Sequence, residues 1–115
     1  MRLSILALVL LAFLQGCAAR KTLVVDRQYP PRSADCAVTI LKESEVSLER
    51  YEQIATVTFG DTGVSLLCDR PTIAEAMRVE ACRVGANAAI VVHEEEPDFW
   101  STCYRVAAKL AWLKN

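Results

Sequence analysis

The sequence predicts an α+β domain of ββαββ order, with one helix packed on a small mixed sheet and braced by disulfides. Three observations predict it. Four short segments, near 36–41, 51–59, 88–93 and 104–112, are rich in β-branched or alternating apolar residues. A single amphipathic helical stretch separates the middle two. Four cysteines, Cys36, Cys68, Cys82 and Cys103, are spread through these elements.

Cys36-Ala-Val-Thr-Ile-Leu reads as the first strand, with Val38 and Ile40 on one face. Lys42 to Glu49 is polar and suits a connection. Tyr51 to Phe59 is the second strand, closed by the turn signal Gly60-Asp-Thr-Gly63, and Val64 to Leu67 would add a short extension. Thr72 with Glu75 three residues on spells a capping box, and Gly85 supplies the C-terminal stop. Ile73, Met77, Ala81 and Val84 share one helical stripe that should face the sheet. Glu80 lies close to that stripe, so it must sit at the rim or find a partner. Ala88 to His93 is the third strand, more uniformly apolar than the others and hence central. Glu94 to Thr102 is a polar loop holding Phe99 and Trp100. In the last strand Tyr104, Val106, Ala108, Leu110 and Trp112 point inward, opposite Arg105 and Lys109.

Charge is distributed unevenly. Residues 1–16 hold twelve apolar residues and one charge, Arg2, whereas the remaining 99 residues carry 12 positive and 14 negative charges. That balance argues against a nucleic-acid binder, which needs a basic excess. Leu3 to Leu14 would make a helix of ~18 Å, too short for a hydrocarbon core of ~30 Å. A basic start, a short apolar stretch and small residues after it mark residues 1–16 as a cleaved signal peptide. A buried N-terminal helix is the alternative, but the stretch is apolar on every face.

Leu14-Gln15-Gly16-Cys17 closes this stretch and resembles the bacterial lipobox. The resemblance implies cleavage after Gly16, a diacylglyceryl thioether on Cys17 and acylation of the new amino group. Two or three acyl chains anchor almost permanently, where one binds marginally. Ala18 in place of Asp points to the outer membrane, facing the periplasm. Residues 17–35 then form the lipidated N-terminus and a tether. Pro30-Pro31 and five charges before Ser33 favour an extended path there, although Leu23-Val24-Val25 could add a short edge strand. The α+β domain spans 36–115.

Four cysteines in an exported domain read as two disulfides, with three possible connectivities. A right-handed crossover sets the second and third strands parallel, and brings Cys68, before the helix, beside Cys103, at the start of the last strand. Cys36 and Cys82 then pair by elimination, which requires the first strand or its entry to cross toward the end of the helix. No C-x-x-C occurs, so zinc and dithiol redox chemistry lack their usual spacing.

Tyr51-Glu-Gln-Ile-Ala-Thr-Val, Met77 through Gly85-Ala-Asn-Ala, and Cys103-Tyr-Arg-Val-Ala together resemble the outer-membrane lipoproteins that sense envelope stress for the Rcs phosphorelay, and related ββαββ lipoproteins. The resemblance covers about residues 51–113. It implies a non-catalytic sensing domain with two disulfides, one of them matching Cys68–Cys103. The second bridge of that family joins the last two strands, where this chain has Glu94 and Lys109. These two could form a cross-strand ion pair.

His93 with Glu94, Glu95, Glu96 and Asp98 could be a metal site, but a solvated strand end and acidic loop explain them better. Asp61 and Asp69 fit turn chemistry better than an acid–base site. Ser33, Ser65 and Ser101 lack a placed base, since His93 is the only histidine. The expectation is therefore a lipid-anchored envelope protein with a non-catalytic interaction or sensing domain, without catalytic residue, metal or cofactor. It would meet the membrane through its lipid and another envelope protein, with Phe99 and Trp100 either contacting that partner or packing over the sheet edge. The alternative is a periplasmic small-molecule or metal-ion module.

Overall fold

The computed structural model describes residues 20–61 and 67–114. The signal peptide, Cys17, Gly63 and Ser65 lie outside the described residues. Five strands, β1 (Arg20–Val25), β2 (Thr39–Lys42), β3 (Tyr51–Gly60), β4 (Ala88–Glu95) and β5 (Arg105–Leu113), form one mixed sheet in the order β1-β3-β5-β4-β2. The helix α1 (Arg70–Val84) covers one face. β1–β3, β3–β5 and β4–β5 are antiparallel, whereas β2–β4 is parallel.

The α+β class with two disulfides is as the sequence predicts, and the topology adds to it. The sheet includes Arg20–Val25, which lie inside the stretch read as tether. The middle position belongs to β5 rather than to Ala88–His93. Its residues Ala107, Ala108 and Ala111 are small, and Val106, Ala108, Leu110 and Ala111 are buried, so it tolerates cover on both faces. β2 makes no hairpin with β3. It pairs along the outer edge of β4, and there Ile40 is 45% exposed while Val38 packs on the core.

The chain returns from β2 to β3 across the face opposite α1. Residues 43–50 form two 3₁₀ turns, and Val46 packs on Tyr51, Ile90 and Ala111. The step from β3 to β4 runs in the other direction and carries α1. Right-handed crossovers in opposite directions place their connections on opposite faces. The main core lies under α1, where Ile73, Met77, Ala81 and Val84 meet Val57, Phe59, Ala89, Val106, Ala108 and Leu110. A bulge between Gln53 and Ala55 leaves both Ile54 and Ala55 buried.

α1 starts earlier than the capping-box reading places it. Asp69 is the N-cap and accepts from the Thr72 amide at 3.3 Å, Pro71 sits in the first turn, and Glu75 pairs instead with Arg78 at 2.7 Å. At the other end Gly85 has φ 85°, with Gly85 N–H donating to Cys82 O at 3.2 Å and Ala86 N–H to Ala81 O at 2.8 Å. This is a Schellman closure. Glu80, 4% exposed, finds its partners: Oε1 accepts from Lys21 on β1 at 2.6 Å and from Arg83 at 3.0 Å, while Oε2 has no hydrogen-bond partner.

Candidate interaction surface

The pairing register ranks the strands into rows. Arg20 faces Gly60, Phe59 and Glu94 both face Val106, and Glu95 faces Arg105. The start of β1, the end of β3, the end of β4 and the start of β5 therefore share one end of the sheet. The loop from Glu96 to Tyr104 leaves from that end.

This loop holds Phe99 at 93% and Trp100 at 89% exposure, in edge-to-face contact at 5.4 Å. Polar groups shape the backbone beneath them. Asp98 Oδ1 accepts from the Trp100 and Ser101 amides at 2.9 and 2.8 Å, and the Asp98 amide donates to Ser101 O at 2.7 Å. Asp98 Oδ2 takes an Arg105 hydrogen bond at 3.0 Å. These donors hold the Asp98 carboxyl below its usual value, the Ser101 and Trp100 amides most strongly. The Ser101 hydroxyl donates to Asp61 and accepts from the Cys103 amide at 3.3 Å. Cys103 is bonded to Cys68, with Cα atoms 4.9 Å apart, and the Tyr104 amide donates to Cys68 O at 2.9 Å. The turn is fixed from both sides, and its two rings point away from the fold.

Behind the turn Tyr104 is buried, with Arg70 4.5 Å above its ring and its hydroxyl donating to Glu94 at 2.6 Å. Burial and then the Glu94 hydrogen bond push the Tyr104 phenol up to about 12, while that bond draws Glu94 below the usual carboxylate range. Glu94 faces Val106 and pairs with Arg70 and Lys42 at 3.5 and 3.8 Å, whereas Lys109 faces Ile90 on the other side of the sheet and pairs with Glu43 at 3.4 Å. A Glu94–Lys109 pair is thus excluded by register and by the bulge between Val91 and His93.

The opposite end is finished by the segment preceding β2. The Arg32 amide donates to Cys82 O at 2.8 Å, and the Arg32 side chain donates to Ala86 O at 2.8 Å, at the negative end of the helix dipole. Arg78 reaches Ala34 O and Cys36 O at 3.0 and 3.2 Å. Cys36 is bonded to Cys82 with Cα atoms 5.9 Å apart. Trp112, expected inward, is 43% exposed, because it lies where α1 has already ended and Arg32 covers it at 5.7 Å. Tyr29, Pro30, Arg32, Glu52, Gly85 and Trp112 line a shallow groove there.

His93 pairs with Glu95 at 3.3 Å on an exposed strand end, and no cluster of three or more His, Cys, Asp or Glu that could hold a metal occurs among the described residues. Asp69 is the helix cap, and Asp61 and Ser101 clamp the aromatic turn. No helix among the described residues is long and apolar enough to cross a membrane. The segment from Arg27 to Cys36, expected as an extended tether, is instead a strap bound to the end of α1. Its signal was Gly85, where an added Cβ would lie 2.7 Å from Pro30 O and 2.8 Å from Tyr29 Cβ. No family model, curated protein or solved structure matches the chain.

Proposed function

We propose that this chain is a lipid-anchored bacterial envelope protein, held through Cys17 in the outer membrane and facing the periplasm. Its folded part is a non-catalytic interaction module that engages another component of the envelope. The observation that supports it most is the Phe99–Trp100 turn. Two large aromatic rings, each worth 150–250 Å² of burial (about that range for such side chains), stay in water on a backbone locked by hydrogen bonds and a disulfide. Ring exposure on a preorganised backbone is the signature of a contact anchor, because little ordering entropy remains to be lost on binding.

The test is made in intact cells. A photoreactive residue at position 100, with position 112 as the comparison, should give a covalent adduct to an envelope component from position 100. No adduct from position 100, together with recovery of the chain in the soluble fraction, contradicts the reading.

A further inference from the structure

The aromatic turn stands at the end of the sheet where the anchored segment arrives. Arg20 opens β1 and faces Gly60, in the same row as Arg105 and Glu95, from which the turn departs. Neighbouring strands are ~4.8 Å apart, so Arg20 lies within about 10–15 Å of both stems of the turn. Cys17 is three residues before Arg20, and three Cα steps of ~3.8 Å reach about 11 Å at most. Trp112, seven residues further along β5 than Arg105, sits roughly 23 Å toward the opposite end.

We propose that the Phe99–Trp100 turn seats in the headgroup layer of the bilayer that holds Cys17, standing the domain on its anchor end. This rests on lipid attachment at Cys17, proposed above. An amphipathic indole beside a phenyl ring is the side-chain pair that favours the boundary between headgroups and acyl chains. The acidic residues around the turn do not form a bare anionic patch. Glu94 and Glu96 pair with Arg70, and Glu95 and Asp98 pair with Arg105. Lys42 also lies 3.8 Å from Glu94, so these four carboxylates meet three cations, and a zwitterionic lipid surface faces only a small residual charge. A tether this short holds the turn at the membrane, so even a weak intrinsic affinity keeps it seated.

The chain has two tryptophans, which makes the seat readable. The full-length lipidated protein is reconstituted into phosphatidylcholine vesicles with plain or brominated acyl chains, and floated on a density gradient. In Trp112→Phe, brominated lipid should remove most of the Trp100 emission; in Trp100→Phe, the Trp112 emission should stay unchanged. The wild-type chain should lose only its Trp100 share, which covers the case in which Trp112→Phe misfolds. Floated protein with unquenched Trp100 overturns the seat and leaves the anchor standing. Trp100 that is shielded from aqueous iodide only in native membranes, and never quenched by lipid, overturns it in favour of a protein contact. Protein left at the bottom of the gradient overturns anchor and seat together.

Discussion

The two ends of the sheet can be compared feature by feature. At the end where β1 begins, Cys68–Cys103 ties the helix entry to the start of β5, and Trp100 projects into water. At the other end, Cys36–Cys82 ties the strap to the last turn of α1, and Trp112 lies under Arg32 beside Tyr29 and Pro30. Both ends are braced, and each has a tryptophan on or next to β5. Only one end covers part of its ring, leaving Trp112 43% exposed against 89% for Trp100. The chain thus has the means to shelter an aromatic against its own backbone, and at Phe99–Trp100 its hydrogen bonds do the reverse. The bonds that fix Asp98 and Ser101 hold the rings out.

The comparison is broken most severely by removing the disulfides in pairs. Cys36→Ser with Cys82→Ser opens a loop of sequence separation 46, and Cys68→Ser with Cys103→Ser one of 35. By loop-closure entropy each should cost about 4 kcal/mol in denaturant unfolding. The two should differ in Trp100 anisotropy, which falls only when Cys68–Cys103 is absent. Equal falls in both variants would mean that the ends are not independent.

Gly85→Ala comes next. The φ of 85° is unfavourable for alanine, and its Cβ would meet the Pro30 carbonyl, a backbone atom that cannot swing aside. A loss of about 2–3 kcal/mol is expected in thermal or urea unfolding, with Trp112 more exposed to acrylamide and Trp100 unchanged.

Asp98→Ala should barely move the melting temperature but should lower Trp100 anisotropy, because it removes the acceptor for two amides. Acid should do the same reversibly. The folded carboxyl sits below its unfolded value, so its bracing is complete above roughly pH 4 and fades as pH falls through the lower folded value. Trp100 anisotropy should therefore hold constant from neutrality down into that window. A transition centred near pH 6 would point to another group.

Glu80→Met should have the smallest effect, within about 1 kcal/mol of the parent in urea unfolding. Glu80 Oε2 is buried without a partner, and Lys21 and Arg83 are exposed enough to turn to water when the carboxylate is replaced by a side chain of similar volume.

What could be read from the sequence follows from where the physical signal is local. The stripe Ile73, Met77, Ala81 and Val84 is set by helical period, and all four residues are buried. The alternation in β5 is likewise a period-two signal, correct until Trp112, where the cover above the strand runs out. β1 was poorly visible because only Leu23 of its six residues is half-buried. What defines β1 is pairing with β3, a non-local property. The placement of β2 beside β4 has the same cause, since periodicity reports a face but no neighbour. The true helix cap was legible, because Asp69 precedes Pro71 and Thr72 as an N-cap should. The capping-box pattern at Thr72 concealed it. In the candidate surface, Asp98 two residues before Trp100 is an Asx-turn pattern, whereas the exposure of Phe99 and Trp100 depends on contacts no local pattern encodes.

The proposed anchoring at Cys17 is the central claim, and intact mass of the membrane-extracted protein, before and after reduction, tests it most directly. The expected result is a chain that begins at Cys17, heavier by a glyceride and its acyl groups, and gaining the hydrogens of two disulfides on reduction. An unmodified polypeptide beginning at Met1, with a mass indifferent to reductant, would contradict it.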